Sequence, residues 1–219
     1  MTAENLISDS VVPLRTSDTG EEALGMMNDF YVRHLPIVND KQLLGLISEE
    51  DILNHDVEEP VGSYSLSLVH TYVRETDHIY EVLRLLALHH LTVVPVVDVE
   101  NNYIGLITLE DLMLLFAKTA SFADPGSILV LEINKRDYSM AEIGRIVESE
   151  GAAILSSFIT SDPESAIIEI TLKINRQSLQ SIIATFGRFK YVVKASYHET
   201  EYVDSLRERF DALMSYLNV

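Results

Sequence analysis

The sequence has 219 residues, of which 47% are hydrophobic and 23% charged, a composition typical of folded globular proteins. It contains no cysteine, so a disulfide framework and a thiolate metal site are both excluded. The formal net charge of −18 disfavours nucleic acid and anionic membrane surfaces as partners, because like charges repel.

The opening stretch MTAENLISDS has no basic region followed by an apolar run, so it predicts no signal peptide. We find no run long enough to span a bilayer and expect a cytoplasmic protein without a membrane partner. The charge is uneven, since residues 1–124 hold 6 Lys/Arg against 21 Asp/Glu and residues 125–219 hold 10 against 13. The simplest interpretation is a solvated acidic surface, and the alternative is attraction of a basic partner or of metal ions.

The first half of the chain contains an internal repeat. The phrase GLISEEDI at 45–52 returns as GLITLEDL at 105–112, sixty positions later. Upstream of these phrases, Pro36 in HLPIV and Pro95 in VVPVV are 59 positions apart. A recurrence at fixed spacing predicts two copies of one structural unit.

Each copy predicts a helix, two short strands and a second helix. Asp18, with Glu21 three residues later, resembles a capping pair for the first helix, and Asp77 takes the same place in the second copy. A Ser/Thr-x-x-Asp sequence opens the last helix of each copy and is itself a helix-capping arrangement. Neither copy has enough apolar surface to stand alone, so we expect the two, over 1–62 and 63–124, to pack face to face.

The second half predicts a separate small domain over 125–200, after the turn Asp124-Pro125-Gly126. Its pattern alternates strands and helices in the order βαββαβ, which is the ferredoxin-like plan. We expect helices over 139–151 and 178–189. An amphipathic C-terminal helix over 201–219 would pack on the same chain or on a sister subunit. The fold class is therefore α/β (α+β).

The doubled pattern, an apolar-Pro-apolar strand followed by Gly-apolar-apolar-Ser/Thr-x-x-Asp, resembles a tandem pair of cystathionine-β-synthase-type (CBS) domains. The resemblance covers Leu6 to about Phe122. The following βαββαβ segment resembles an ACT-type regulatory domain. A CBS pair followed by an ACT-like domain is similar to bacterial acetoin-utilisation-type proteins.

The resemblance implies clefts that bind an adenosine derivative such as AMP, ADP, ATP or S-adenosylmethionine. It implies that the aspartates take the ribose hydroxyls and that the Ser or Thr contacts phosphate. The candidate ligand-binding residues are the capping pairs and the prolines of both copies: Ser48, Asp51, Thr108, Asp111, Pro36 and Pro95. A carboxylate can accept from two neighbouring hydroxyls, and a helix start attracts anions, so these roles are chemically reasonable. CBS modules often dimerise, which implies a homodimer.

Basic residues are scarce near these motifs. Arg33 and His34 precede the first strand and are the candidate phosphate contacts, whereas the second copy has Thr92 and Val93 there. The alternative is an exposed arginine and a packed histidine. The acidic balance also favours a nucleotide with Mg²⁺, or a ligand with a positive group such as S-adenosylmethionine.

We find no phosphate loop, dinucleotide-binding loop, zinc-protease motif or nucleophile elbow, and therefore expect no enzyme activity. His89 and His90 are adjacent on a helix and point to different sides, so a metal site is not expected. The loop at 134–142 has no glycine, which disfavours close approach of an amino acid to its backbone. The sequence thus favours a regulatory module that senses an adenine nucleotide, with a dimerising scaffold for a protein partner as the alternative.

Overall fold

The computed structural model describes residues 1–198 except for 9, 67, 69, 70, 120 and 123. The C-terminal helix predicted over 201–219 lies outside the described residues. The chain divides into two compact units, Met1–Phe116 and a second unit that begins at Ala117. Within the described ranges, no helix is both long and apolar enough to cross a membrane.

The first unit contains two copies of one arrangement, as the repeat predicts, and in each copy a short strand precedes the predicted helix, two strands and helix. The elements of the first copy are β1 (Leu14–Arg15), α1 (Gly20–Asp29), β2 (His34–Asn39), β3 (Gln42–Ser48) and α2 (Glu49–Leu53). Those of the second are β4 (Val73–Arg74), α3 (Ile79–Leu88), β5 (Val93–Val97), β6 (Tyr103–Thr108) and α4 (Leu109–Thr119). Each copy forms a three-stranded sheet in which the first pair of strands is parallel and the second antiparallel. The two-residue strands β1 and β4 were not predicted, because they are too short to show an alternating pattern.

The capping pair predicted at Asp18 and Glu21 is wrong by one position. Thr19 is the N-cap of α1: its hydroxyl accepts from the N–H of Glu22, and the Glu22 carboxylate accepts from the N–H of Thr19. Asp18 instead accepts from the N–H of Arg15 at 2.7 Å and closes the turn after β1. Asp77, the equivalent residue of the second copy, closes the same turn by accepting from the N–H of Arg74 at 2.8 Å.

The two copies share one hydrophobic core, which confirms that they pack against each other. Fully buried strand residues from both copies belong to it, among them Leu35 and Ile47 from the first and Val94 and Ile107 from the second. Apolar residues from strands on both sides leave water together, which is the main stabilising term for such a module.

Each copy is completed by a segment that precedes the other copy. The N–H of Ala3 donates to the carbonyl of Asp77 at 2.8 Å, so the start of the chain belongs to the second copy. The N–H of Leu46 donates to the carbonyl of Leu68 at 3.2 Å, so the linker that enters the second copy also pairs with the first. The boundaries predicted for the individual domains stay predictions.

The second unit has the predicted βαββαβ order. Its elements are β7 (Ser127–Asn134), α5 (Met140–Ser149), β8 (Ile154–Ser161), β9 (Ile167–Ile174), α6 (Gln180–Arg188) and β10 (Val192–Tyr197). The strands form an antiparallel sheet in the order β10-β7-β9-β8. Alternate residues of β7 and β9, such as Leu131 and Ile170, are buried with Phe186 of α6. This is the ferredoxin-like arrangement.

Candidate ligand-binding clefts

The two predicted Ser/Thr-x-x-Asp corners have the same geometry. In the first copy, the N–H of Asp51 donates to Ser48 Oγ at 3.0 Å, and Asp51 Oδ2 accepts from the Ser48 N–H at 3.0 Å and from its hydroxyl at 2.7 Å. Thr108 and Asp111 make the same three bonds at 3.0, 3.3 and 2.6 Å. Both corners are therefore reciprocal helix caps, as their spacing predicts.

The cap leaves one oxygen of Asp111 available. No group in the described part of the chain donates to its Oδ1, whereas Oδ2 takes both bonds from Thr108. The hydroxyl of Thr108 has only one proton, and it donates that proton to Asp111. A phosphate contact of Thr108 would therefore have to displace a bond of the cap, whereas a diol contact of Asp111 would not.

Each corner borders a cleft that also contains the end of the first helix of the other copy. The first cleft, of about 370 Å³, is lined by Arg33, His34, Ser48, Glu49, Glu50, Leu68, His89 and His90. The second cleft, of about 590 Å³, is lined by Ser10, Val11, Phe30, Tyr31, Val32, Thr92, Thr108, Leu109, Glu110, Asp111 and Met113. Of the predicted ligand residues, Arg33, His34 and Ser48 line the first cleft and Thr108 and Asp111 line the second, whereas Asp51 is among the lining residues of neither.

The two clefts differ in chemistry, although the repeat makes them equivalent in position. The end of α3 gives the first cleft His89 and His90, while the end of α1 gives the second cleft Phe30 and Tyr31. None of the described residues that line the second cleft is Lys, Arg or His. Of the two sets of described lining residues, only that of the first cleft contains Arg or His, whereas the second cleft is largely apolar with an acidic corner.

His34 and Thr92 connect the two clefts by hydrogen bonds. The N–H of Thr92 donates to His34 Nδ1 at 3.3 Å, and Thr92 Oγ1 lies 3.1 Å from the same nitrogen. Burial lowers the pKa of His34, and the neighbouring Arg33 adds to this effect while Asp51 opposes it. Because Nδ1 accepts from a backbone N–H, the ring is neutral at pH 7 and carries its proton on Nε2.

The predicted phosphate contacts Arg33 and His34 both line the first cleft, and their role in binding stays a prediction. The side chain of Arg33 is 78% exposed and pairs with Glu49 at 3.8 Å, and His34 is packed and neutral. Pro36 and Pro95 are buried within β2 and β5 and line neither cleft. Their role as ligand contacts stays a prediction, and their buried position explains the recurrence of an apolar-Pro-apolar strand.

Sequence reasoning missed the aromatic wall of the second cleft. Phe30 and Tyr31 directly follow α1, in the positions that His89 and His90 occupy after α3. Their position in the repeat, which is the same as that of His89 and His90, could have indicated this wall. In a module whose copies pack against each other, the helix end of one copy meets the corner of the other.

No cluster of three or more His, Asp or Glu side chains suited to a metal ion occurs in the part of the chain that the structure describes. His55, which follows α2 in a stretch with Asp56, Glu58 and Glu59, has structural contacts. His55 Nδ1 donates to the carbonyl of Asp51 at 2.7 Å, and its ring stacks on Tyr64 with 4.4 Å between the ring centroids.

Comparison with protein families finds that the model of the CBS domain matches residues 3–58 and 67–118. Inosine-5′-monophosphate dehydrogenase from Methanocaldococcus jannaschii is 28% identical over 114 residues, which are 51% of this chain and 23% of that protein. The magnesium transporter MgtE from Thermus thermophilus is 30% identical over 117 residues, which are 51% of this chain and 26% of that protein. The chain spans about a quarter of the length of these two curated relatives.

Solved structures similar to this chain include a CBS domain pair/ACT domain protein from Thermotoga maritima. It is 24% identical with a TM-score of 0.49, and the alignment covers 54% of this chain and 98% of that chain. The cytosolic domain of the Mg²⁺ channel MgtE, in complex with ATP, is 28% identical with a TM-score of 0.43. That alignment covers 52% of this chain and 48% of that chain.

Proposed function

Because residues 3–58 and 67–118 form a tandem pair of CBS domains, we propose that this protein is a non-catalytic regulatory module. It binds an adenine nucleotide or another adenosine derivative in a cleft of the CBS pair. Binding in that cleft is passed on to the C-terminal domain, which is ACT-like in its βαββαβ order, or to a partner protein. Regulation of this kind requires the ligand to prefer one conformation over another.

The observation that carries this proposal is the acceptor at Asp111. Its Oδ1 receives no bond from the described residues, and the residue lines a cavity of about 590 Å³. That volume falls within the range of small-molecule sites, about 300–1,000 Å³. The two adjacent hydroxyls of a ribose are donors that a carboxylate can accept. Val11 and Phe30 supply an apolar wall on which a base can lie.

The charges of the second cleft restrict its ligand. Glu110 and Asp111 line it, and none of its described lining residues has a cationic side chain. A bare polyphosphate would therefore meet repulsion, which is strong in a partly dehydrated cleft. We propose that the ligand is AMP, a nucleotide with Mg²⁺, or S-adenosylmethionine. In the first cleft, Arg33 is already paired with Glu49, so we propose the second cleft as the principal site.

Exposed apolar side chains favour a second candidate function, that of a dimerising scaffold. On α4, Leu109 is 41% exposed, Met113 is 60% exposed and Leu114 is 51% exposed. A helix face of this kind is a typical contact between subunits. We propose a homodimer that uses this face. The scaffold function differs from the regulatory one in that the clefts then take no nucleotide.

A ligand panel with matched variants tests the proposal. Thermal unfolding is measured with AMP, ADP, ATP and S-adenosylmethionine, each with and without Mg²⁺. A ligand at a hundredfold its Kd adds about 2.7 kcal/mol, which raises the Tm by about 5–10 °C. Asp111→Ala should abolish the shift, whereas Asp51→Ala removes an equivalent cap and should retain it. If none of these ligands raises the Tm of the unchanged protein, the scaffold function is favoured.

A further inference from the structure

Four helices in the described part of the chain end in the same hydrogen-bonded turn. In α1 the N–H of Val32 donates to the carbonyl of Met27 at 3.0 Å, and α3, α5 and α6 repeat this bond at 2.9, 3.2 and 3.0 Å. Such a turn places one residue in the left-handed region of backbone conformation, where glycine is normally found. The four residues in that position are Tyr31, His90, Gly151 and Lys190, with φ of 54°, 53°, 68° and 64°.

Only α5 uses glycine for this turn, and the other three residues border cavities. Tyr31 lines the second cleft, His90 lines the first cleft, and Lys190 lines a cavity of about 310 Å³ in the second unit. Gly151 lines none of these three. A side chain in the left-handed region costs about 1–2 kcal/mol, so its retention beside a cavity points to a use of that side chain.

Tyr31 contributes little to the folded state. The residue is 93% exposed, and its hydroxyl has no hydrogen-bond partner among the described residues. It does not belong to either hydrophobic core, whereas its neighbour Phe30 packs against the first one. A large aromatic ring with an unfavourable backbone and almost no packing therefore stands at the edge of the second cleft.

We propose that Tyr31 is the residue that stacks on the nucleobase of the ligand in the second cleft. This inference rests on the proposed function and specifies which side chain recognises the base. An aromatic ring offers its face to any purine, and the gain is about 1–3 kcal/mol for each stacked base. Asp111 would hold the ribose from the second copy while Tyr31 covers the base from the first. At the equivalent position the first cleft has His90, so the two clefts would present different rings to a base.

The test compares three variants with the unchanged protein. Tyr31→Gly should raise the Tm of the ligand-free protein by about 2–4 °C, because glycine removes the left-handed strain. The same variant should weaken the Kd of AMP by about 5- to 150-fold, as loss of a stacked base predicts. Tyr31→Phe retains the ring and should bind AMP within about threefold of the unchanged protein. His90→Gly is the matched control, which should gain similar stability and leave the Kd unchanged.

A spectroscopic signal separates stacking from a structural role. The chain has no tryptophan, so its ultraviolet emission comes from tyrosine. AMP should quench part of this emission, and Tyr31→Phe should lose that quenching while it still binds. If Tyr31→Gly binds AMP as the unchanged protein does while Asp111→Ala does not, the stacking role is overturned and the proposed function stands. If the unchanged protein binds neither AMP, Mg-ATP nor S-adenosylmethionine, both are overturned.

Discussion

The reciprocal cap at Thr108 and Asp111 predicts a measurable coupling energy between the two side chains. Thr108→Ala removes the acceptor of the Asp111 N–H at 3.0 Å and the donor to Asp111 Oδ2 at 2.6 Å. Asp111→Ala removes that same 2.6 Å bond and also the acceptor of the Thr108 N–H. Because one bond is lost in both single variants, the double variant should lose less stability than their sum.

The structure sets the size of each loss. Replacement of a threonine N-cap by alanine costs about 1 kcal/mol. Asp111→Ala should cost about 1–3 kcal/mol, because Thr108 is only 8% exposed and its hydroxyl proton is left without an acceptor. The coupling energy of the pair should be about 1 kcal/mol, within the range for residues in direct contact.

Urea denaturation followed by far-ultraviolet circular dichroism measures this double-mutant cycle. The Ser48 and Asp51 pair provides a matched cycle, and its coupling should have the same sign because its three bonds are equivalent. A coupling below about 0.3 kcal/mol at Thr108 and Asp111 would refute the reasoning, because independent side chains add to within about that error.

Three further perturbations have definite expected outcomes. Burial lowers the pKa of His34 from 6.5, so the unfolded state binds a proton that the folded state excludes, and the Tm should fall as the pH drops below 6.5. His34→Gln removes this titration and should make the decline of Tm between about pH 7.5 and 5.5 shallower. An unchanged slope of Tm against pH in this variant would contradict the reasoning. Gly20→Ala should lower the Tm because the new Cβ would lie 2.5 Å from the Tyr64 hydroxyl. Adding Tyr64→Phe to that variant should recover part of the lost Tm. If Gly20→Ala alone leaves the Tm unchanged, the clash does not exist. Phe186→Ala should destabilise the second unit by about 3–5 kcal/mol in urea, since its ring is fully buried, while a loss under 1 kcal/mol would show a core that closes around the gap.

The caps and the repeat could be predicted from the sequence because both are local. Ser48 with Asp51 and Thr108 with Asp111 are three residues apart, so one turn of helix brings each pair together. The cap of α1 was predicted one position early, at Asp18 instead of Thr19. Asp and Thr are both good caps, and which of two adjacent ones serves depends on where the backbone changes from extended to helical.

The clefts could not be assembled from the sequence because their walls come from both copies. The bond between His34 and Thr92 joins residues 58 positions apart, and nothing in either local pattern indicates it. The same is true of Tyr31, which meets the corner of Thr108 only after the two copies have packed. Such contacts depend on how the two copies are placed against each other. The repeat predicts that the copies pack together, but it does not predict which residues come into contact.

The crossed terminal segments of the two copies make them one cooperative folding unit. The bond from Ala3 to Asp77 and that from Leu46 to Leu68 must both break before either sheet can separate from the other. Amide hydrogens of the two copies should therefore exchange with solvent through a single global opening, at one common free energy. A molecule bound in one cleft would slow exchange throughout both copies. Fragments cut at residue 62 would each hold a segment that the other fragment needs, so they should fold only when mixed.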